Sequence, residues 1–179
     1  MLDGLRRSVG LTYSRLHFRD SRDRVMHFTD VLSRSHRALV IFPETSLDSE
    51  SSSNLFRFLL KKFPSEKVTV LIPDSQLFAM SSLPPLKTLT YSTDDVNTWF
   101  VPRRKLLKKM GSRSYDVAFD LNIDLSLTSA FLCKATNAPL RISFVKQNGD
   151  QFYNFQIKTR ETTSQARSYR NLLKCLDMF

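Results

Sequence analysis

A chain of 179 residues, 41% of them apolar, can build one hydrophobic core and is too apolar for wholesale disorder. Its 27 basic and 17 acidic side chains give a formal net charge of +10, which asks for an anionic counterpart in nucleic acid, acidic protein or anionic lipid. No apolar run approaches the ~20 residues of a bilayer-spanning helix, and Arg6, Arg7, Arg15 and Arg19 interrupt the start as no secretory leader tolerates, so the expected location is cytoplasmic, with peripheral contact to the inner face of a membrane as the variant.

Residues 1–37 read as a basic helical extension. Leu5, Val9, Leu16 and Phe18, then Val25, Phe28, Val31 and Leu32, recur at helical spacing on either side of a charged break at 19–24. Two readings stay open: these faces pad a sheet, or, with Arg15 and Arg19 beside the apolar stripe, they bind a membrane surface or a partner.

Residues 38–179 read as an α/β domain. Ala38-Leu39-Val40-Ile41-Phe42 is an apolar run fit for a strand buried on both faces. Pro43 to Asp48 break it, and Ser49, Ser51 and Ser52 offer helix caps. Leu55, Phe56, Leu59, Leu60 and Phe63 then keep helical spacing, Lys61 and Lys62 suit the negative end of the helix dipole, and Pro64 stops the helix. Val68-Thr69-Val70-Leu71-Ile72 supplies the next strand, and a strand, helix and parallel strand in this order make a right-handed crossover.

A short helix is expected at 76–80, a break at Pro84-Pro85, a strand at 87–91 and a polar turn at 93–97. Residues 99–110 read as a helix after Pro102, with Leu106, Leu107 and Met110 inward, crowded by Arg103, Arg104, Lys105, Lys108 and Lys109. That crowd is either a solvated face or a docking patch for an anion or acidic subunit. Strands follow at 117–121 and 140–145 around a helix at 125–135, then a turn at Asn148-Gly149-Asp150 and an added strand within 152–157. A closing helix at 163–176 turns Ala166, Tyr169, Leu172, Leu173 and Leu176 to one side. The sum is a three-layer Rossmann-like domain with a five- or six-stranded, mainly parallel sheet.

Cys133 and Cys175 are expected as free thiols, and His17, His27 and His36, with no ligand-like spacing, as surface residues. There is no nucleophile elbow, Walker loop or metal-ligand cluster, and four scattered glycines make no phosphate loop. No cofactor is expected, and no nucleic-acid-binding signature accompanies the charge. In an open α/β sheet ligands bind beyond the strands' carboxyl ends, which makes Glu44, Thr45, Ser46, Asp48, Asn122 and Asp124 the candidates for chemistry. By itself Asp48 reads as a helix cap.

Three patches carry a family likeness: Val40-Ile41-Phe42-Pro43 with Leu47-Asp48, Lys61-Lys62-Phe63-Pro64 before Val68-Thr69-Val70-Leu71, and Tyr115-Asp116-Val117-Ala118-Phe119-Asp120-Leu121. Without a gap, this resembles the opening of the heptosyltransferases and their relatives, the family-nine glycosyltransferases, whose first strand runs into a Gly-Asp loop and a helix ending in Lys/Arg-Phe-Pro. Residues 126–144 follow as the helix and Arg-Ile-x-Phe strand do there, and Tyr169 to Leu173 match the Tyr-x-x-Leu-Leu helix that closes the family's first domain. The resemblance implies one half of a two-domain glycosyltransferase, with Asp48 in the place of the general base on the acceptor hydroxyl. It also marks departures: Leu47 replaces the loop glycine, Phe42 a basic residue and Asn54 a helix proline. The donor-holding second domain is not expected within these residues. The expected role is therefore a non-catalytic glycosyltransferase-like subunit that binds a protein partner or larger complex through basic surfaces. The alternative is an acceptor-binding half of a sugar transferase, meeting nucleotide sugar only through a second chain.

Overall fold

The structure, a computed structural model, describes residues 2–21, 23, 26–45, 48–80, 86–111, 114–159 and 164–178. Strands β1 (Ala38–Ile41), β2 (Val68–Pro73), β3 (Lys87–Tyr91), β4 (Val117–Asp120), β5 (Leu140–Phe144) and β6 (Phe155–Ile157) form one sheet in the order β3-β2-β1-β4-β5-β6. All five pairings are parallel. The order reverses between β1 and β4, the arrangement of a doubly wound fold. β1, β2, β4 and β5 are buried along their whole length, which is why they read as continuous apolar runs rather than alternating ones.

Helices α1 (Leu2–His17), α2 (Phe28–Arg34), α3 (Ser49–Lys62), α4 (Arg104–Gly111), α5 (Leu127–Ala135) and α6 (Gln165–Asp177) cover the two faces. Alternation along β1 separates the cores: Ala38 and Val40 meet Leu55, Phe56 and Leu59 of α3, Tyr169 and Leu172 of α6, and Leu32 of α2. Leu39 and Ile41 meet Leu106 and Met110 of α4 and Ala130, Leu132 and Cys133 of α5. Three layers result, as expected.

Several boundaries differ from the sequence reading. The stretch expected as a helix at 76–80 is a 3₁₀ segment, Asp74–Met80. α4 begins after Pro102 as expected, and Trp99 before it lies exposed in a turn that the Asn97 side chain closes by accepting the backbone N–H groups of Trp99 and Val101. β6 follows β5 after ten residues, 145–154, with only a 3₁₀ turn, Gly149–Gln151, between them, a short return for a parallel pair. Asn154 makes it work: its side chain accepts from Arg141 N and donates to Pro139 O, while its own N–H reaches Arg141 O. Val25, Pro84, Pro85 and Thr163, named in the sequence reading, lie outside the described residues.

The extension splits in its behaviour. α2 pads the sheet, with Leu32 buried and Phe28 stacked on Phe155 at 3.9 Å. α1 does not use the face that periodicity assigns to it: Leu5, Val9 and Leu16 are exposed, and Gly10 and Ser14 are the buried residues. A small-residue contact admits close approach, and the side chains that add apolar contact are Leu11 and Phe18. Cys133 and Cys175 are free thiols, and His17, His27 and His36 are exposed.

Candidate functional site

The loops after β1 and β4 meet over the point where strand order reverses. At their base sits Asp120, the last residue of β4 and wholly buried. Its Oδ1 accepts the backbone and side-chain N–H groups of Asn122 at 3.0 and 2.8 Å, and its Oδ2 accepts the Ser129 hydroxyl at 2.9 Å and the Tyr153 hydroxyl. Lys146, also buried, places its Nζ 3.8 Å from Oδ2, donates to Asn122 O at 2.5 Å and lies over the Tyr153 ring. A carboxylate out of water is tolerable only when paired and hydrogen-bonded in this way. Burial pulls the Lys146 ammonium below its ordinary range, against the Asp120 charge that opposes the fall. Burial first, then Asp120, pushes Tyr153 up, so it remains a phenol and a donor. Of this cluster only Asn122 is a sequence candidate for chemistry; Asp120 reads as part of a strand, and Ser129, Lys146 and Tyr153 are not singled out. The signal for Asp120 is an acid closing an otherwise apolar strand, Val117-Ala118-Phe119-Asp120.

The sequence candidates gather around it. Asn122 donates to Asp120 and to the Ser129 hydroxyl, and its Oδ1 accepts Glu44 N at 3.1 Å. The Glu44 carboxylate accepts the Ser126 hydroxyl at 2.5 Å, and its carbonyl accepts Gln76 at 3.0 Å. Ser126 is also the N-cap of α5. The crevice between β1 and β4 is thus bridged by side chains. Thr45 and Asp124 are exposed at its rim, and Ser46 and Leu47 lie outside the described residues. Asp48 is the N-cap of α3: its Oδ1 accepts Ser51 N at 2.8 Å. That bond to Ser51 holds its carboxyl below the usual range, which keeps it ionised and lowers its basicity.

The open space lies to one side, toward β3. A cleft of about 600 Å³ opens above β1, β2 and β3, lined by Glu44, Asp74, Tyr91, Asn97, Phe100 and Thr128 among others. That is within the ~300–1,000 Å³ of small-molecule sites. Tyr91 is 6% exposed, and its hydroxyl has no hydrogen-bond partner among the described residues. Burial, with Glu44 and Asp120 nearby, pushes it well above a free phenol, so it stays a neutral donor beside the cleft. Phe100 holds a left-handed backbone at φ 61°, a costly conformation for a bulky residue. Its carbonyl is held by the Thr128 hydroxyl at 3.0 Å.

The basic residues divide in two. Arg104, Lys105 and Lys108 of α4 are exposed and have no ion-pair partner among the described residues. Arg103 donates to Val96 O, and Lys109 to Thr90 O at 2.7 Å, which ties both to the body. Arg15 donates to Asn148 at 3.0 Å, and Arg19 pairs with its neighbour Asp20. Among the described residues no group of three or more His, Cys, Asp or Glu is placed to hold a metal, and no helix is long and apolar enough to cross a membrane.

No protein-family model matches the sequence, and comparison with curated proteins gives no match. The fold does have solved relatives. A family-nine glycosyltransferase from Veillonella parvula superposes with a TM-score of 0.59 at 17% identity, over 80% of this chain and 42% of that one. The E. coli heptosyltransferase WaaC, solved with ADP, gives 0.54 at 12% identity, over 78% of this chain and 46% of that one. The chain therefore has a Rossmann-like, glycosyltransferase-like fold and spans less than half the length of these structures.

Proposed function

We propose that this chain is a binding module of glycosyltransferase-like fold that holds an acidic partner protein through its basic surface and does not itself transfer sugar. The observation that carries this is α4: three adjacent cations, Arg104, Lys105 and Lys108, stand exposed without a carboxylate among the described residues. Opposite charges at three- or four-residue spacing stabilise a solvated helix, and α4, Arg104–Gly111, has no acidic residue to supply them. α1 packs against the same sheet face and adds an exposed apolar stripe, Leu2, Leu5, Val9, Tyr13 and Leu16, with Arg6, Arg7 and Arg15 on the same helix. Apolar contact with a basic surround suits an acidic protein surface, and a vesicle of anionic lipid is the control that separates a membrane from it. The carboxylates support the non-catalytic half of the reading. Asp48 caps a helix, Glu44 is bonded to Ser126 and Asp120 is buried, so each has structural work.

The test is the native mass of the gently purified chain, with its companions identified. Wild type travels in a stable complex, the triple variant Arg104→Glu, Lys105→Glu, Lys108→Glu travels alone, and Asp48→Asn keeps the complex. Asn caps a helix about as well as Asp, so any loss of biological activity in Asp48→Asn is chemical and overturns the non-catalytic reading. A monomeric wild type, or a complex indifferent to charge reversal, overturns the docking face.

The cleft favours a second reading, an acceptor-binding half of a sugar transferase whose nucleotide sugar is bound by a second chain. Tyr91, buried with an unpartnered hydroxyl, is the group that would donate to a sugar oxygen there. Sugar transfer by the chain together with a nucleotide-sugar-binding partner, weakened by Tyr91→Phe, establishes it.

A further inference from the structure

A second pocket lies at the opposite end of the sheet, below the strands' amino ends. Parallel pairing builds it. Arg37 immediately precedes β1, Lys67 immediately precedes β2, and Lys87 begins β3, so the register Ala38↔Val68 and Thr69↔Lys87 brings the three cations to one edge. Ser114 and Tyr115, just before β4, close the other wall, and Arg37 Nη1 lies 3.5 Å from the Ser114 hydroxyl. Glu66 is the single carboxylate in the lining. The nearby Asp116 is turned to the backbone, where its Oδ2 accepts His36 N and Arg37 N, both at 2.8 Å.

An independent observation points to a ligand. Tyr115 lines the pocket, is 4% exposed, and its buried hydroxyl has no hydrogen-bond partner among the described residues. A buried donor left unmade costs ~1–3 kcal/mol. An oxyanion supplies the missing acceptor and meets three cations against one carboxylate. The pocket's volume of about 180 Å³ is below the ~300 Å³ at which drug-sized sites begin, so it matches one small anionic group rather than a whole enclosed nucleotide. A phosphate group presents several acceptor oxygens and a charge near −2 at neutral pH, so it can answer Arg, Lys and Tyr together.

We propose that Arg37, Lys67, Lys87 and Tyr115 form a binding site for a phosphate group, either free phosphate or a small phosphomonoester. The site lies at the end of the sheet remote from the Glu44 and Asp48 loops and is independent of the function proposed above.

Calorimetric titration of the full chain at low salt, with inorganic phosphate and separately with glycerol phosphate, tests it. One saturable site is expected. Lys87→Gln, an exposed position, weakens binding about tenfold, the loss of one charge-assisted bond. Tyr115→Phe weakens it about fivefold, the loss of one neutral bond, while leaving the unfolding temperature unchanged or raised. Lys158→Gln, an exposed position outside both surfaces, leaves binding unchanged. Binding of inorganic phosphate alone identifies the free ion as the ligand, and equal binding of glycerol phosphate identifies a phosphorylated group. Absence of saturable binding to either probe overturns the site. So does an equal loss in Lys87→Gln and Lys158→Gln, which is diffuse attraction to a basic protein.

Discussion

Asp23 does more for this fold than its place in a charged break indicates. Its carboxylate pairs with Arg141 at 2.5 Å and lies 3.2 Å from Lys134, and both cations are buried. Arg141 also donates to Phe152 O and Ala138 O, so the guanidinium ties β5 and the loop before β6 to the amino-terminal segment. Removing one partner of a buried pair costs ~3–5 kcal/mol. Asp23 is itself about one-third exposed, which lowers the expectation for Asp23→Asn to about 2–3 kcal/mol. Burial raises the Asp23 carboxyl, but Arg141 and Lys134 outweigh it and hold the group below its ordinary value. The stabilisation is therefore present above the unfolded carboxylate pKa, near 3.9, and is lost as pH falls through the lower folded value. Denaturant unfolding of both proteins should show a gap at pH 7 that closes as pH falls below about 4. Equal stability at pH 7 would remove Asp23 from the account. The charges were visible in the sequence, but a pairing across 111 residues was not, since pattern reading carries no long-range partner information.

At the scale of elements, most of the fold was legible and one face was not. Apolar runs, the Asp48 cap and Pro64 placed β1, α3 and β2 within a residue or two, whereas the serines expected as caps, Ser49, Ser51 and Ser52, lie inside α3, because Asp48 takes the cap. α1 was legible as a helix but not in its orientation. The rule that large apolar residues point inward fails when the contact is built from small ones. A Cβ on Gly10 would lie 2.1 Å from the Trp99 carbonyl oxygen and 2.5 Å from Leu127, so nothing larger than glycine fits without movement. Two effects compete in Gly10→Ala. Alanine gains ~1 kcal/mol in helix propensity, and overpacking against backbone costs ~1–3 kcal/mol. The obstructing atom is a main-chain oxygen, so the clash wins. Gly10→Ala should loosen α1 from α5 while the sheet stays intact, seen as faster amide exchange across α1 with unchanged exchange in β1 and β4. Unchanged exchange in α1 would mean that the helix is held elsewhere. The candidate site divided on the same physical line: Asp48 and Asn122 were legible because they flank strand and helix ends, whereas Asp120 required knowing what surrounds β4.

For the whole molecule, the net charge of +10 is a solubility and steering term until it is localised. The structure localises part of it: Arg103, Lys109 and Arg15 are bonded to the body, which leaves Arg104, Lys105 and Lys108 as the concentrated free charge of α4. Two explanations for a basic protein now give different salt behaviour. Attraction spread over the surface depends on total charge and fades uniformly as the screening length drops from ~30 Å at 0.01 M salt to ~3 Å at 1 M. A docked α4 face concentrates the dependence in three side chains, because contact charges govern encounter and registry. Raising salt from 0.05 to 0.5 M should slow association with the acidic partner by tenfold or more in the wild-type chain. The triple charge reversal on α4 should abolish most of that slope, although it lowers net charge by only six of the ten units. A triple reversal placed instead at Lys61, Lys62 and Lys174, on α3 and α6 of the other face, changes net charge equally and should leave the slope nearly intact. Equal flattening by the two variants would show that charge number alone steers association, and α4 would then be an ordinary solvated helix.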